Sequence, residues 1–71
     1  ALTGPVIISD YIGVGDFEGY LHLLSRLDGS VVGRVRVDSD GIAAAPVPIF
    51  GQRLLVLGAG GTLALYQLEP A

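Results

Sequence analysis

Cysteine and tryptophan are both absent from the 71 residues, and histidine occurs once. Without cysteine no disulfide can brace the chain, and a lone His22 with no thiolate partners offers no zinc site. A chain without thiols fits any redox environment. The only basic residues are Arg26, Arg34, Arg36 and Arg53, they form no large patch, and the formal net charge is −3. That balance excludes the clustered cationic surface that nucleic acid demands. Long apolar runs are missing too. The longest uncharged stretch runs from Leu54 up to Glu69 and is broken by Gly58, Gly60 and Gly61. It falls short of the roughly 20 consecutive apolar residues of a membrane-spanning helix.

What is present is apolar and short-range: 51% of residues are hydrophobic and 15% charged. A chain of this size buries only about 60% of its unfolded surface, so one core is marginal. With disulfides and metals set aside, stability must come from association with copies of itself or with further parts of a longer chain. The opening Ala1-Leu2-Thr3 lacks Met, a basic region and an apolar leader, and is expected to be a cut end.

The apolar residues do not recur at helical spacing. They come in short runs of Val, Ile, Leu and Tyr separated by Gly- and Asp-bearing turns, the pattern of strands. About seven are predicted: Pro5–Ser9, Tyr11–Gly15, Tyr20–Ser25, Val31–Val37, Ala44–Ile49, Arg53–Leu57 and Thr62–Leu68. Turns are expected at Gly15, Asp16 and Gly19, at Asp28 and Gly29, and at Gly58 and Gly61. In the fourth run Val31, Val35 and Val37 alternate with Arg34 and Arg36, which predicts one wet face. Val6-Ile7-Ile8 and Leu54-Leu55-Val56-Leu57 are apolar on both faces, as strands are where sheets stack on sheets.

An internal repeat points to the architecture. Pro5-Val6 recurs as Pro46-Val47 at an offset of 41, Tyr11–Gly15 as Leu54–Gly58 at 43, and Gly19–Leu23 as Gly61–Leu65 at 42. Units of roughly 40–50 residues with four strands each are β-propeller blades. The chain is therefore expected to be all-β: residues 1–41 form one four-stranded antiparallel blade, and residues 42–71 a final blade lacking its closing strand. Glu69-Pro70-Ala71 is expected to be a true C-terminus, the last blade being completed by a strand from the other chain end.

No catalytic, cofactor-binding or metal-binding residue is assigned. The stretch from Leu54 to Thr62 resembles a dinucleotide-binding strand and turn, but only ten residues follow Gly61 and Leu63 stands at the third glycine position. Asp38-Ser39-Asp40-Gly41 starts like a calcium loop, yet the twelfth position is Ile49 rather than Glu, which leaves a polar link between blades. Asp16 and Glu18 read as turn formers on a solvated hairpin tip. His22 reads as a hydrogen-bonded residue packed between blades. Ser9, Ser25, Ser30 and Ser39 sit at strand ends or turns, not in a nucleophile elbow.

Gly15-Asp16-Phe17-Glu18-Gly19-Tyr20-Leu21-His22, then Asp28-Gly29, then Arg36-Val37-Asp38-Ser39-Asp40-Gly41 and Ala45-Pro46-Val47, resembles the C-terminal end of the BamB family. The resemblance runs in order across nearly the whole chain, with Leu23 where that family tends to place Trp. It implies a fragment of an eight-bladed, quinoprotein-like propeller lipoprotein in the periplasm. That parent would be tethered to the outer membrane through a lipidated cysteine outside this chain. It implies a non-enzymatic scaffold of the β-barrel assembly (BAM) complex that binds the periplasmic POTRA domains of BamA and takes no cofactor. The family's main partner-contacting loops lie upstream, so no binding residue is carried onto this chain. The alternative, a fragment of a quinone-dependent (PQQ-type) dehydrogenase propeller, expects tryptophan docking motifs and adjacent cysteines, and neither is present here. A third reading is self-assembly, four copies closing one eight-bladed ring and leaving no exposed sheet edges. A verified monomer of this chain is expected to show no sharp unfolding transition in calorimetry; a cooperative one would show that two sheets suffice.

Overall fold

The computed structural model describes residues 2–69; the chain-end readings at Ala1 and at Pro70-Ala71 lie outside the described residues. Seven strands form two antiparallel sheets. β1 (Val6–Ile8), β2 (Tyr11–Gly15), β3 (Tyr20–Ser25) and β4 (Val31–Arg36) make a four-stranded meander, and β5 (Val47–Ile49), β6 (Arg53–Leu57) and β7 (Leu63–Gln67) a three-stranded one. The sheets stack face to face with β1 and β5 in contact, as two consecutive propeller blades do. Three strands have the expected bounds and the others are shorter. The largest loss is at β5, where Ala44, Ala45 and Pro46 stay outside the ladder; Pro48 is tolerated because β5 pairs on one side only.

Alternation sets the faces. Val6 pairs with Gly13, Gly13 with Leu23 and Gly15 with Leu21, so all five share the face turned toward the second sheet. Leu21, 1% exposed, clusters there with Ile8, Ile42 and Leu68 and with Leu54 and Val56, both 0% exposed. The missing side chains let the sheets close: a Cβ on Gly13 would lie 3.2 Å from Leu54 Cδ1, and one on Gly15 2.6 Å from Ile42 Cγ2. The Tyr11 hydroxyl adds a cross-sheet bond, donating to the Glu69 carbonyl at 2.8 Å.

The repeat is kept in its backbone hydrogen bonds but differs by one residue from the sequence matching. Leu2 bridges Asp16 as Ile42 bridges Gly58. The Asp16 N–H donates to the Tyr20 carbonyl as that of Gly58 does to Thr62, and the Arg26 N–H to Asp10 as that of Leu68 does to Gln52. The counterpart of Gly58 is therefore Asp16, not Gly15, and the offset through β2 and β6 is 42 rather than 43. The first two strands of each sheet are joined by two residues (Ser9-Asp10) in one case and three (Phe50-Gly51-Gln52) in the other, which moves the offset from 41 to 42. A one-residue slip reverses every side chain. In the correct register Ile12 and Val14 correspond to the buried Leu54 and Val56.

Equivalent positions thus have unequal burial. Leu63 is the counterpart of Leu21 yet is 65% exposed, and Leu65, the counterpart of Leu23, is 53% exposed. With Val47, Leu55 and Leu57 they form an aliphatic face turned away from the first sheet. The opposite outer face of the first sheet carries Ile7, Ile12, Val14, Tyr20, His22 and Leu24.

β4 departs from the expected alternation. A bulge opposite Leu23 and Leu24 puts Val31 across from Leu24, while Arg34 faces His22 and Arg36 faces Tyr20. Val31 therefore shares the arginine face instead of opposing it, and it is exposed there; Val35, on the other face, is exposed as well. Both sides of this outermost strand are wet, because it lies at the edge, beyond the cover the second sheet gives. In the full-length protein Leu54→Ala is expected to cost about 2–5 kcal/mol, against less than about 0.5 kcal/mol for Leu27→Ala at an exposed turn, read from the midpoints of denaturant unfolding.

Candidate functional site

The chemistry-bearing side chains gather around the hairpin that joins β2 to β3. Gly19 takes φ 95° and Gly61, its counterpart, φ 98°, a conformation open to Gly and strained for other residues. The tight turn leaves backbone N–H groups pointing inward. Asp16 Oδ1 accepts from the Glu18 N–H at 3.0 Å and the Tyr20 N–H at 2.9 Å, while Oδ2 accepts from His22 Nε2–H at 2.6 Å. Burial alone would raise the Asp16 pKa, but the His22 bond and the two amides outweigh it and hold the carboxyl below its usual range.

His22 lies on the face turned away from the second sheet, so that sheet does not cover it. Its neighbour Tyr20 sits under two guanidinium groups, Arg34 at 5.2 Å and Arg36 at 5.5 Å from the ring centroid. Such exposed cation–π contacts contribute about 0.5–1 kcal/mol each. The Asp16–His22 pair resembles part of a catalytic triad, but among the described residues no hydroxyl is hydrogen-bonded to His22. Nor does any group of three or more His, Asp or Glu side chains converge on a common point among them.

The second hairpin, between β6 and β7, has Gly58 where the first has Asp16. The carboxylate comes instead from the preceding sheet. Asp38, buried beyond the end of β4, accepts from its own loop through Oδ1 (Asp40 N–H, 2.8 Å) and across the interface through Oδ2 (Gly60 N–H at 3.0 Å, Thr62 N–H at 3.3 Å). The Asp40 amide chiefly, with those of Thr62 and Gly60, lowers its pKa against the opposing effect of burial. Sequence reasoning takes residues 38–41 as a plain polar link and misses this role. The available signal is the pair of glycines at 58 and 60, which leave room for a foreign side chain where the first hairpin has Asp16 and Glu18.

The remaining expected turn residues stand apart from this cluster. Asp28 and Gly29 close the β3–β4 connection, where Asp28 Oδ1 accepts from the Ser30 N–H at 3.0 Å, a bond that lowers its pKa. Gly15 ends β2 against Ile42 rather than forming the turn itself.

Comparison with known proteins gives a consistent family. The chain is 46% identical over 69 residues to the outer membrane protein assembly factor BamB of Marinobacter adhaerens, covering 97% of this chain and 18% of that protein. It is 48% identical over 68 residues to the protein of the same name from Pseudomonas aeruginosa, covering 96% of this chain and 18% of the relative. With that of Shewanella oneidensis it shares 46% identity over 67 residues, covering 94% and 17%. No family model matches. The chain spans less than a fifth of the length of these curated relatives.

The Asp16 cluster generates a pH dependence with a defined sign. Its folded pKa lies below the unfolded value of about 3.9, so its stabilisation is complete above that value and is lost as pH falls through the folded one. In the full-length protein, between about pH 5 and about pH 3, the melting temperature of the Asp16→Asn variant is expected to fall less than that of the unsubstituted form. Equal falls would sink the assignment.

Proposed function

This chain belongs to the BamB family, and from that premise we propose that it is a structural segment of a non-enzymatic scaffold in outer-membrane protein assembly. Residues 1–41 and 42–71 are two consecutive blades of the parent's eight-bladed ring. The observation that carries the reading is identity of 46–48% over nearly the whole chain to proteins named as assembly factors. The unequal burial of equivalent positions supports it: both outer faces require further blades, which relatives more than five times longer have room to supply. In this reading the ring stands in the periplasm, held to the outer membrane by a lipid anchor outside this chain, and binds the POTRA domains of BamA. The two blades give the ring rigidity, and partner-contacting loops lie in other blades.

Two measurements on the full-length protein test this. Calorimetric titration with the isolated POTRA domains of its own BamA is expected to show saturable binding with a negative heat-capacity change, the mark of apolar burial. Absence of heat and of co-migration at high concentration would remove the scaffold reading and bring back a quinone-dependent enzyme, to be assayed with an alcohol and an artificial electron acceptor. Separately, Leu63→Ala is expected to cost as much as Leu21→Ala, about 2–5 kcal/mol. A negligible cost at Leu63 would mean that no further blade covers that face.

A further inference from the structure

The two hairpins solve one problem with carboxylates from different places. Each has two inward N–H groups at equivalent positions: Glu18 and Tyr20 in the first, Gly60 and Thr62 in the second. The first hairpin satisfies them with Asp16, its own residue. The second has Gly58 at that position and is satisfied by Asp38 from the sheet before it. Gly58 is not among the residues with left-handed φ, so its backbone would accept a side chain. What forbids one is Asp38 itself, because a Cβ on Gly58 would collide with the Cβ and Oδ2 of Asp38. A Cβ on Gly60 would likewise lie 2.5 Å from Asp40 Oδ2.

We propose that Asp38 and Gly58 are a matched pair that determines which hairpin can seat beside the end of the preceding sheet. Each hairpin takes one carboxylate, either its own or its neighbour's. A hairpin built like the first, with Asp at this position, cannot follow a segment ending in Asp38: the two side chains would occupy one volume and bring two negative charges onto one pair of amides. Each hairpin also carries a docked segment, Leu2 on the first and Ile42 on the second. That of the first hairpin holds Thr3, whose N–H donates to the Gly15 carbonyl at 2.8 Å and whose hydroxyl accepts from the Gly15 N–H at 3.0 Å. The pair is thus a recognition element between successive repeats, fixing their order at this junction.

The test exchanges the two residues in the full-length protein and compares Asp38→Gly, Gly58→Asp and the double variant, whose composition is unchanged. Hydrogen exchange of a peptide covering residues 58–62 reads the hairpin directly, and thermal unfolding reads the whole. Asp38→Gly is expected to speed exchange there by on the order of tenfold through loss of charge-assisted bonds. Gly58→Asp alone is expected to lower the melting temperature sharply. The double variant is expected to recover most of both losses, because the carboxylate introduced by Gly58→Asp would cap its own hairpin as Asp16 does. A double variant no better than the two single effects combined, or exchange unchanged in Asp38→Gly, would overturn the proposal. Should either glycine–aspartate variant fail to fold, Asp38→Asn keeps the volume and removes the charge; it is expected to speed exchange at 58–62, and unchanged exchange would again overturn the pairing.

Discussion

A sheet that is apolar on both faces needs a neighbour on each, and almost everything in this chain follows from that demand. Hydrophobic burial contributes about 25 cal/mol per Å², but only where a second surface excludes water. Leu21 and Leu63 occupy one position in two copies of a repeat, and one is sealed while the other is open. The difference is not in the residue or in its strand. It lies in whether another sheet stands in front of it. The glycines of β2 serve the same end, since they let Leu54 and Ile42 approach the backbone closely enough for the two layers to exclude water.

Stacking two such layers creates a second demand at their rims. Hairpin amides that point inward lose part of their access to water, and a donor left there without an acceptor is costly. Carboxylates meet that demand here, Asp16 within its hairpin and Asp38 across the interface, and in both the bound amides hold the charged form. His22, Tyr20, Arg34 and Arg36 extend the first of these clusters over the outer face, where charge and aromatic surface alternate with Ile12, Val14 and Leu24. That face differs from the outward one of the second sheet, where Leu55, Leu57, Leu63 and Leu65 predominate and only Arg53 and Gln67 are polar, so the two ends of the stack are chemically distinct.

Much of the fold is legible in the residues. β2, β3 and β6 have the predicted bounds because each is an apolar run closed by residues with strong turn chemistry. β5 is shorter than expected because Ala44 and Ala45 read as strand while Pro46 removes a ladder donor. The faces of β4 differ from the expected ones because alternation carries no sign of a bulge; the extra residue shows only in the pairing with Leu23 and Leu24. Matching Gly15 to Gly58 is natural by composition and wrong by one position, and it conceals that Gly58 stands in the place of an aspartate. Asp38 is illegible for a different reason. Its partners lie in the next repeat, and nothing local distinguishes an aspartate that caps its own loop from one that also caps a neighbour's. The same holds for function, which enters through resemblance and not through any constellation of reactive groups.

The bond from Asp38 to Gly60 spans only 22 residues. Closing so short a loop loses little chain entropy, and contacts of this range favour rapid folding. A polypeptide leaving the ribosome would therefore lock the second of these layers onto the first as soon as its hairpin emerges. Assembly at this junction acquires a direction, from the first sheet to the second. Until another layer stands in front of it, the second sheet keeps Leu63 and Leu65 open to water.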